Sequence, residues 1–343
     1  MAVLTDLLAI PFDPELAPGA RNAIATCLAV KPHERVVVIT GRSCLEIGAA
    51  FAAQLRAVGA SHECFVLDDF VTRPTRSMPA PILEALEQAQ VSIFAALALP
   101  GELDMRRQMT GVVNRRRIRH AHMVGITPRI MREGMRADFP AVDALSLWVM
   151  ERAVDAREIV CTTPAGTDLR ATFVPSLRWI KTSGLISPEK WGNLPGGEIF
   201  TSPERVDGTF VVDGVLGDWL APKYGDLRKT PLTIRIEESR IVDLQCRNSA
   251  ALEDFRRYVA ADANSDRVGE YALGTNLAVT DVIGNMLQDE KIPGVHIAFG
   301  HPYAEHTGAN WSSSSHIDVV GRDFDVWFDG TPIMRRGRYL RED

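Results

Sequence analysis

The sequence predicts an α/β protein in which a mainly parallel sheet domain comes first and an α+β domain rich in antiparallel strands follows. Two observations carry this expectation. Through the first 150 residues, short continuous apolar runs alternate with segments of helical spacing, which is the rhythm of β-α-β units. Beyond Arg152 to Arg157 the pattern changes to segments that alternate apolar and polar residues, rich in Thr, Val and Ile and separated by Gly, Pro and Asp. The expected domains are residues 1–150 and 151–343.

The first half divides into elements in order. Ala20 to Val30, after Pro18-Gly19, is expected to be an opening helix, and Val36 to Ile39 a strand buried on both faces. Cys44 to Ala60 has alanine and leucine at helical spacing and Gly59 where a helix C-terminus needs it. CFVLDD follows as strand, APILEALEQAQ as helix, VSIFAALAL as strand and MVGITP as another. The loop GRSCLEIG has neither the G-x-G-x-x-G pattern nor a P-loop lysine, so no nucleotide is expected there. Met105 to His122 is a basic run read as a solvated helix face, with one arginine reaching a substrate carboxylate as the alternative.

In the second half IVCTTPAGTDLRATFVP, EIFTSPE, GTFVVDGVLGDWL and PLTIRIEESRIVDLQC are expected strands. SAALEDFRRYVAA is a helix with Leu252, Phe255, Tyr258 and Val259 on one face. Asp329-Gly330 signals a closing hairpin.

Composition narrows the function classes. A formal charge of -6 gives no broad attraction to nucleic acid or an anionic membrane, and the basic run lacks aromatics for base stacking. Five scattered cysteines with no C-x-x-C pair argue for a reducing compartment. With no signal-peptide pattern at the start and no apolar run long enough to span a bilayer, a cytoplasmic protein is expected.

Chemistry concentrates between Glu270 and Asp318. In SSSSHIDVVG, His316 and Asp318 leave one face of a strand together while Ile317 points to the other. His296 and Tyr303 lie upstream in HIAFGHPY, Glu270 opens GEYALGTN, and Glu198 follows Gly196-Gly197 at a strand start. Carboxylates and imidazoles without cysteine suit zinc, manganese, cobalt or iron. His33, His62, His120 and His122 have no ligand-spaced companions and are read as structural.

NLPGGEIFTSP, GEYALG, QDEKIPGVHIAFGHPY and SSSHIDVVG resemble, in order, the metal-binding motifs of the thermophilic-type metallo-aminopeptidases, the aminopeptidase T and aminopeptidase S group. The resemblance implies two divalent ions held by Glu198, Glu270, His296, Tyr303, His316 and Asp318, and a homodimer. Asp289-Glu290-Lys291 stands where the family has Asp-Glu-Asn. The sequence is similar, too, to the 2,5-dihydroxypyridine dioxygenase, which holds a single iron with two histidines and an aspartate.

The expected activity is therefore a metal-dependent aminopeptidase acting on small peptides or amides through a water activated between two ions (Zn, Co or Mn). An Fe(II) ring-opening dioxygenase and a metal-binding protein without turnover are the alternatives. Glu204, Glu290, His301, Glu305 and His306 are possible general bases or ligand-supporting groups, with Glu290 and His301 foremost.

Overall fold

A computed structural model describes residues 4–97 and 99–341. The chain divides into two compact units, Met1–Pro140 with Gly184–Gly196, and Ala141–Ser183 with Gly197–Asp343. Strands β1 (Arg35–Thr40), β2 (Ser61–Val66), β3 (Val91–Ala96) and β4 (Arg119–Val124) come first. The helix Phe139–Ala153 leads to β5 (Glu158–Thr162), β6 (Asp168–Thr172), β7 (Ile180–Thr182) and the short β8 (Gly192–Asn193). Next are β9 (Glu198–Thr201), β10 (Arg205–Val212), β11 (Leu232–Glu237) and β12 (Arg240–Cys246). The helix Ser249–Tyr258 precedes β13 (Val268–Gly274), β14 (Gly294–Gly300) and β15 (His316–Val320). Last come β16 (Asp325–Phe328), β17 (Thr331–Arg335) and β18 (Arg338–Tyr339).

The first unit is the expected parallel α/β layer, with strand order β2-β1-β3-β4-β8 and every pairing parallel. The helix Leu45–Val58 ends as the sequence demands, with Gly59 left-handed at φ 78°. On one sheet face Val37, Ile39 and Phe94 pack with Ile82, Leu86, Met105, Met109 and Val113 from the helices Ala80–Glu87 and Leu103–Arg116.

Three boundaries differ from expectation for local reasons. The opening helix starts at Ala17, because Pro18 lies in a first turn that needs no N–H, and it runs on as a π-helical turn through Asn22–Cys27. Strand β2 stops at Val66, and Leu67–Asp69 close a 3-10 turn. The basic run splits, since its helix ends at Arg116 and β4 begins at Arg119, so His120 and His122 lie inside a buried strand. The run's arginines answer acids of the same unit, with Arg117 2.7 Å from Glu189 and Arg119 2.6 Å from Glu34.

The two buried histidines form a chain with Ser92, whose Oγ is 2.8 Å from His120 Nδ1, while His120 Nε2 is 3.1 Å from His122 Nδ1. Burial pushes the His120 imidazole from 6.5 down to about 3. A folded pKa below the unfolded one means that the neutral form's stability is complete above about pH 6.5 and is lost as pH falls toward 3. The expected loss is about 1.4 kcal/mol per pH unit for one such histidine. His120→Asn should flatten the fall in melting temperature between about pH 7 and pH 5; an unchanged slope would contradict this.

The second unit contains two antiparallel sheets, ordered β12-β11-β10-β6-β5-β16-β17-β18 and β15-β14-β13-β9-β7. Their inward side chains share one core: Leu169, Val206, Phe210 and Ile234 from the larger sheet, and Ile199, Tyr271, Ile297 and Ile317 from the smaller. Phe255 of the helix Ser249–Tyr258 and Val259 just after it are buried in it, with Leu252 and Tyr258 packed alongside. The β16–β17 hairpin turns at Asp329 and Gly330, with φ 46° and 82°, as the Asp-Gly pair requires. No described helix is long and apolar enough to cross a membrane.

Candidate metal centre

The smaller sheet of the second unit creates the site by alternation. Ile199, Tyr271, Leu273, Ile297, Phe299, Ile317 and Val319 enter the core, so their neighbours Glu198, Glu270, His296, His316 and Asp318 leave the opposite face. Cross-strand partners share a face, and several of those of the site residues are small: Glu270 and Asp318 both lie opposite Ala298, His296 opposite Ala272 as well as Val320, and Glu198 opposite Gly274 as well as Thr182.

One feature of β13 decides whether Glu270 belongs to it. Val268 pairs with Phe299 and Glu270 with Ala298, so Gly269 is an extra residue that shifts the register. The bulge turns Glu270 onto the polar face instead of into the core. Only glycine suits the position, because a Cβ there would lie 2.0 Å from the Gly300 carbonyl oxygen. Gly269→Ala is expected to lower thermal stability and divalent-ion affinity together; a variant with both unchanged would show that the bulge does not govern the site.

Five of the six residues make direct contact. His296 Nε2 lies 3.5 Å from Glu198 Oε2 and 3.6 Å from Glu270 Oε1. His316 Nε2 lies 3.3 Å from Asp318 Oδ1 and 3.8 Å from Glu270 Oε2. Tyr303, the sixth, packs its ring 4.8 Å from that of His316 and 5.7 Å from Phe200. The connection after Tyr303 is anchored where Asp262 accepts hydrogen bonds from Ser313 and Ser314.

Among the described residues, Glu270, His296 and Asp318 offer ligand atoms that all lie within 4.8 Å of one another. His296 is 2% exposed, and its Nε2 has no hydrogen-bond partner. A buried nitrogen left without a partner beside carboxylates is costly unless a cation completes its environment. His316 Nδ1 lies 3.0 Å from the His301 carbonyl oxygen; donating there leaves Nε2 turned to the acids, as an oriented ligand requires. The donor set of oxygen and imidazole nitrogen therefore fits a borderline or hard divalent cation.

Electrostatics follow from this crowding. Burial pushes the Glu270 carboxyl up, and the neighbouring Asp318 and Glu198 charges add to the rise while His296 and His316 oppose it. Burial alone would raise Asp318 too, but His316 holds it below the usual carboxylate range. For His316 burial works downward, yet Asp318 and Glu270 lift the imidazole to about 10. Tyr303 is pushed well above an ordinary phenol by burial and then by the surrounding carboxylates, so it stands as a neutral O–H donor.

Sequence reasoning passed over two contributors. Lys291 is 1% exposed, with Nζ 2.6 Å from Glu198 Oε1 and 2.5 Å from Glu290 Oε1. Thr182 Oγ1 donates to the same Glu198 oxygen at 2.9 Å. The lysine's signal was that it stands where the resembled family has asparagine; Thr182 had none. Of the possible bases, Glu290 is in the cluster. The His301 Nδ1 accepts the Tyr303 N–H at 3.0 Å and so organises the turn, while Glu204, Glu305 and His306 are exposed.

Residues 149–338 match the thermophilic metalloprotease (M29) family. Among solved structures the chain is similar to AmpT from Thermus thermophilus, with a TM-score of 0.68 and 19% identity over 96% of this chain and 100% of that one. It is equally similar to the 2,5-dihydroxypyridine dioxygenase from Pseudomonas putida KT2440, at a TM-score of 0.68 and 17% identity over 96% of this chain and 97% of that one. At such identities the two structures share the fold. No curated protein matches the sequence.

Proposed function

Since the chain belongs to the thermophilic metalloprotease family, a family of hydrolytic metal-dependent enzymes, we propose that it is an aminopeptidase that releases N-terminal residues from small peptides. The observation that carries this reading is the close grouping of Glu270, His296 and Asp318 around a His296 Nε2 that has no other partner. Those three residues, with His316 beside them, would hold a divalent cation. When bound, the cation would polarise the substrate carbonyl and bring the pKa of a water molecule near neutrality.

The remaining groups have separable tasks. Burial works to raise the Glu198 carboxyl, but Lys291 holds it below its ordinary range, and it offers a carboxylate to the protonated α-amine of a substrate. Burial raises the Glu290 carboxyl well above its ordinary range, with Lys291 opposing. Glu290, beside Glu198 through their shared contact with Lys291, is assigned the proton transfer from water to the leaving amine. The neutral Tyr303 O–H donates to the oxygen that gains charge as the carbonyl is attacked.

The test is release of p-nitroaniline or a free amino acid from N-terminally free and N-acetylated substrates, before and after chelation. Cleavage of the free forms alone, lost on chelation and restored by Zn, Co or Mn, is expected. Equal cleavage of blocked and free substrates would remove the exopeptidase assignment. A single-iron oxygenase is the second reading because the chain shares its fold with the 2,5-dihydroxypyridine dioxygenase and sets His316 Nε2 3.3 Å from Asp318; oxygen uptake on a dihydroxylated pyridine with Fe(II) distinguishes it.

A further inference from the structure

We propose that Lys291 is a built-in cation: its ammonium fills one half of the carboxylate cluster, so that the chain takes up one divalent ion rather than two. The inference rests on the metal centre proposed above and concerns what this chain adds to it.

The cluster has two halves. In one, Glu270, His296 and Asp318 converge with the unpartnered His296 Nε2 between them. In the other, Glu198 and Glu290 already share a positive charge, with Lys291 Nζ 2.6 and 2.5 Å from their oxygens. Glu198 joins the halves, because its other oxygen is the one 3.5 Å from His296 Nε2. A carboxylate that would otherwise bridge two ions instead faces an imidazole on one side and an ammonium on the other.

The lysine is also held in place. Its N–H donates to the Gln288 carbonyl at 2.9 Å, and its own carbonyl accepts from Asn276 at 3.0 Å. Asp289 just before it accepts backbone N–H groups of Ile283, Gly284 and Asn285 at 2.8 to 2.9 Å. Gly274 approaches the following residue so closely that a Cβ would lie 1.9 Å from the Ile292 carbonyl oxygen. A side chain on so fixed a backbone, 1% exposed, has no solvent-facing arrangement to retreat to when a second ion arrives. A second divalent ion between Glu198 and Glu290 would then meet a like charge at contact distance in a buried site, which disfavours it strongly.

The test counts ions. Elemental analysis and calorimetric titration with Zn²⁺ or Mn²⁺ are made on the wild type, Lys291→Met, which keeps volume and removes charge, and Lys291→Arg, which keeps charge. The expected result is one ion in the wild type and Lys291→Arg, and two in Lys291→Met, whose second site binds more than about 100-fold tighter than any second site of the wild type. Two ions in the wild type, or one in Lys291→Met, would overturn the inference. Lys291→Gln, which leaves a donor for the carboxylates, serves if the methionine variant does not fold. No ion in any protein would remove the metal centre itself, and the inference with it.

Discussion

His296→Ala is expected to weaken divalent-ion binding by more than about 100-fold and to abolish ion-dependent hydrolysis. The imidazole faces Glu198 at 3.5 Å and Glu270 at 3.6 Å from a strand buried on every side. Its removal takes away the nitrogen donor of the grouped trio and leaves the mutual repulsion of Glu270 and Asp318 relieved by His316 alone among the neighbouring imidazoles. Burial already pushes the Glu270 carboxyl up, and without His296 the shift should grow, so that a proton competes with the ion for the same oxygen. Calorimetric titration of the variant and release of an N-terminal residue check the two halves of the expectation. Glu305→Ala, at an exposed position of the same segment, should behave as wild type. Tight ion binding in His296→Ala would mean that the ion sits elsewhere.

The ion-free protein should lose about 3–5 kcal/mol of stability in Lys291→Met. The magnitude follows from leaving two buried carboxylates without the ammonium that both contact, since breaking a buried pair costs more than the pair itself contributes. Lys291 remains a cation in the folded chain because Glu198 and Glu290 outweigh its burial. Its loss is therefore a loss of full charge compensation. Urea unfolding with a chelator present measures the effect, and added divalent ions should restore much of the stability to the variant. A loss below about 1 kcal/mol would show that the carboxylates find their compensation elsewhere or take up protons.

Much of this site was legible because period-two alternation is a strong signal. His316 and Asp318 had to leave one face once Ile317 and Val319 entered the core, and Gly197, at φ 129°, delivers Glu198 to the start of β9. The parallel layer and the Asp-Gly hairpin were legible for similar reasons, since continuous apolar runs and left-handed turn residues leave few alternatives. What escaped was governed by register and tertiary contact. Glu270 reaches the site because Gly269 bulges, and a bulge depends on the partner strand, which local sequence does not specify. Lys291 stood out in the sequence only as the residue where the family has asparagine; its burial depends on a contact with Glu198, far away in the chain. The two-residue β8 and the buried His120 and His122 were hidden likewise, the former by its length and the latter by polar residues in a strand whose hydrogen bonds are satisfied internally.

Anomalous scattering from crystals grown with zinc or manganese tests the central claim most directly. A peak within coordination distance of Glu270, His296 and Asp318 is the predicted result, and its loss in His296→Ala should follow. A well-occupied ion bound away from those three side chains, or none at concentrations that support hydrolysis, would contradict the account.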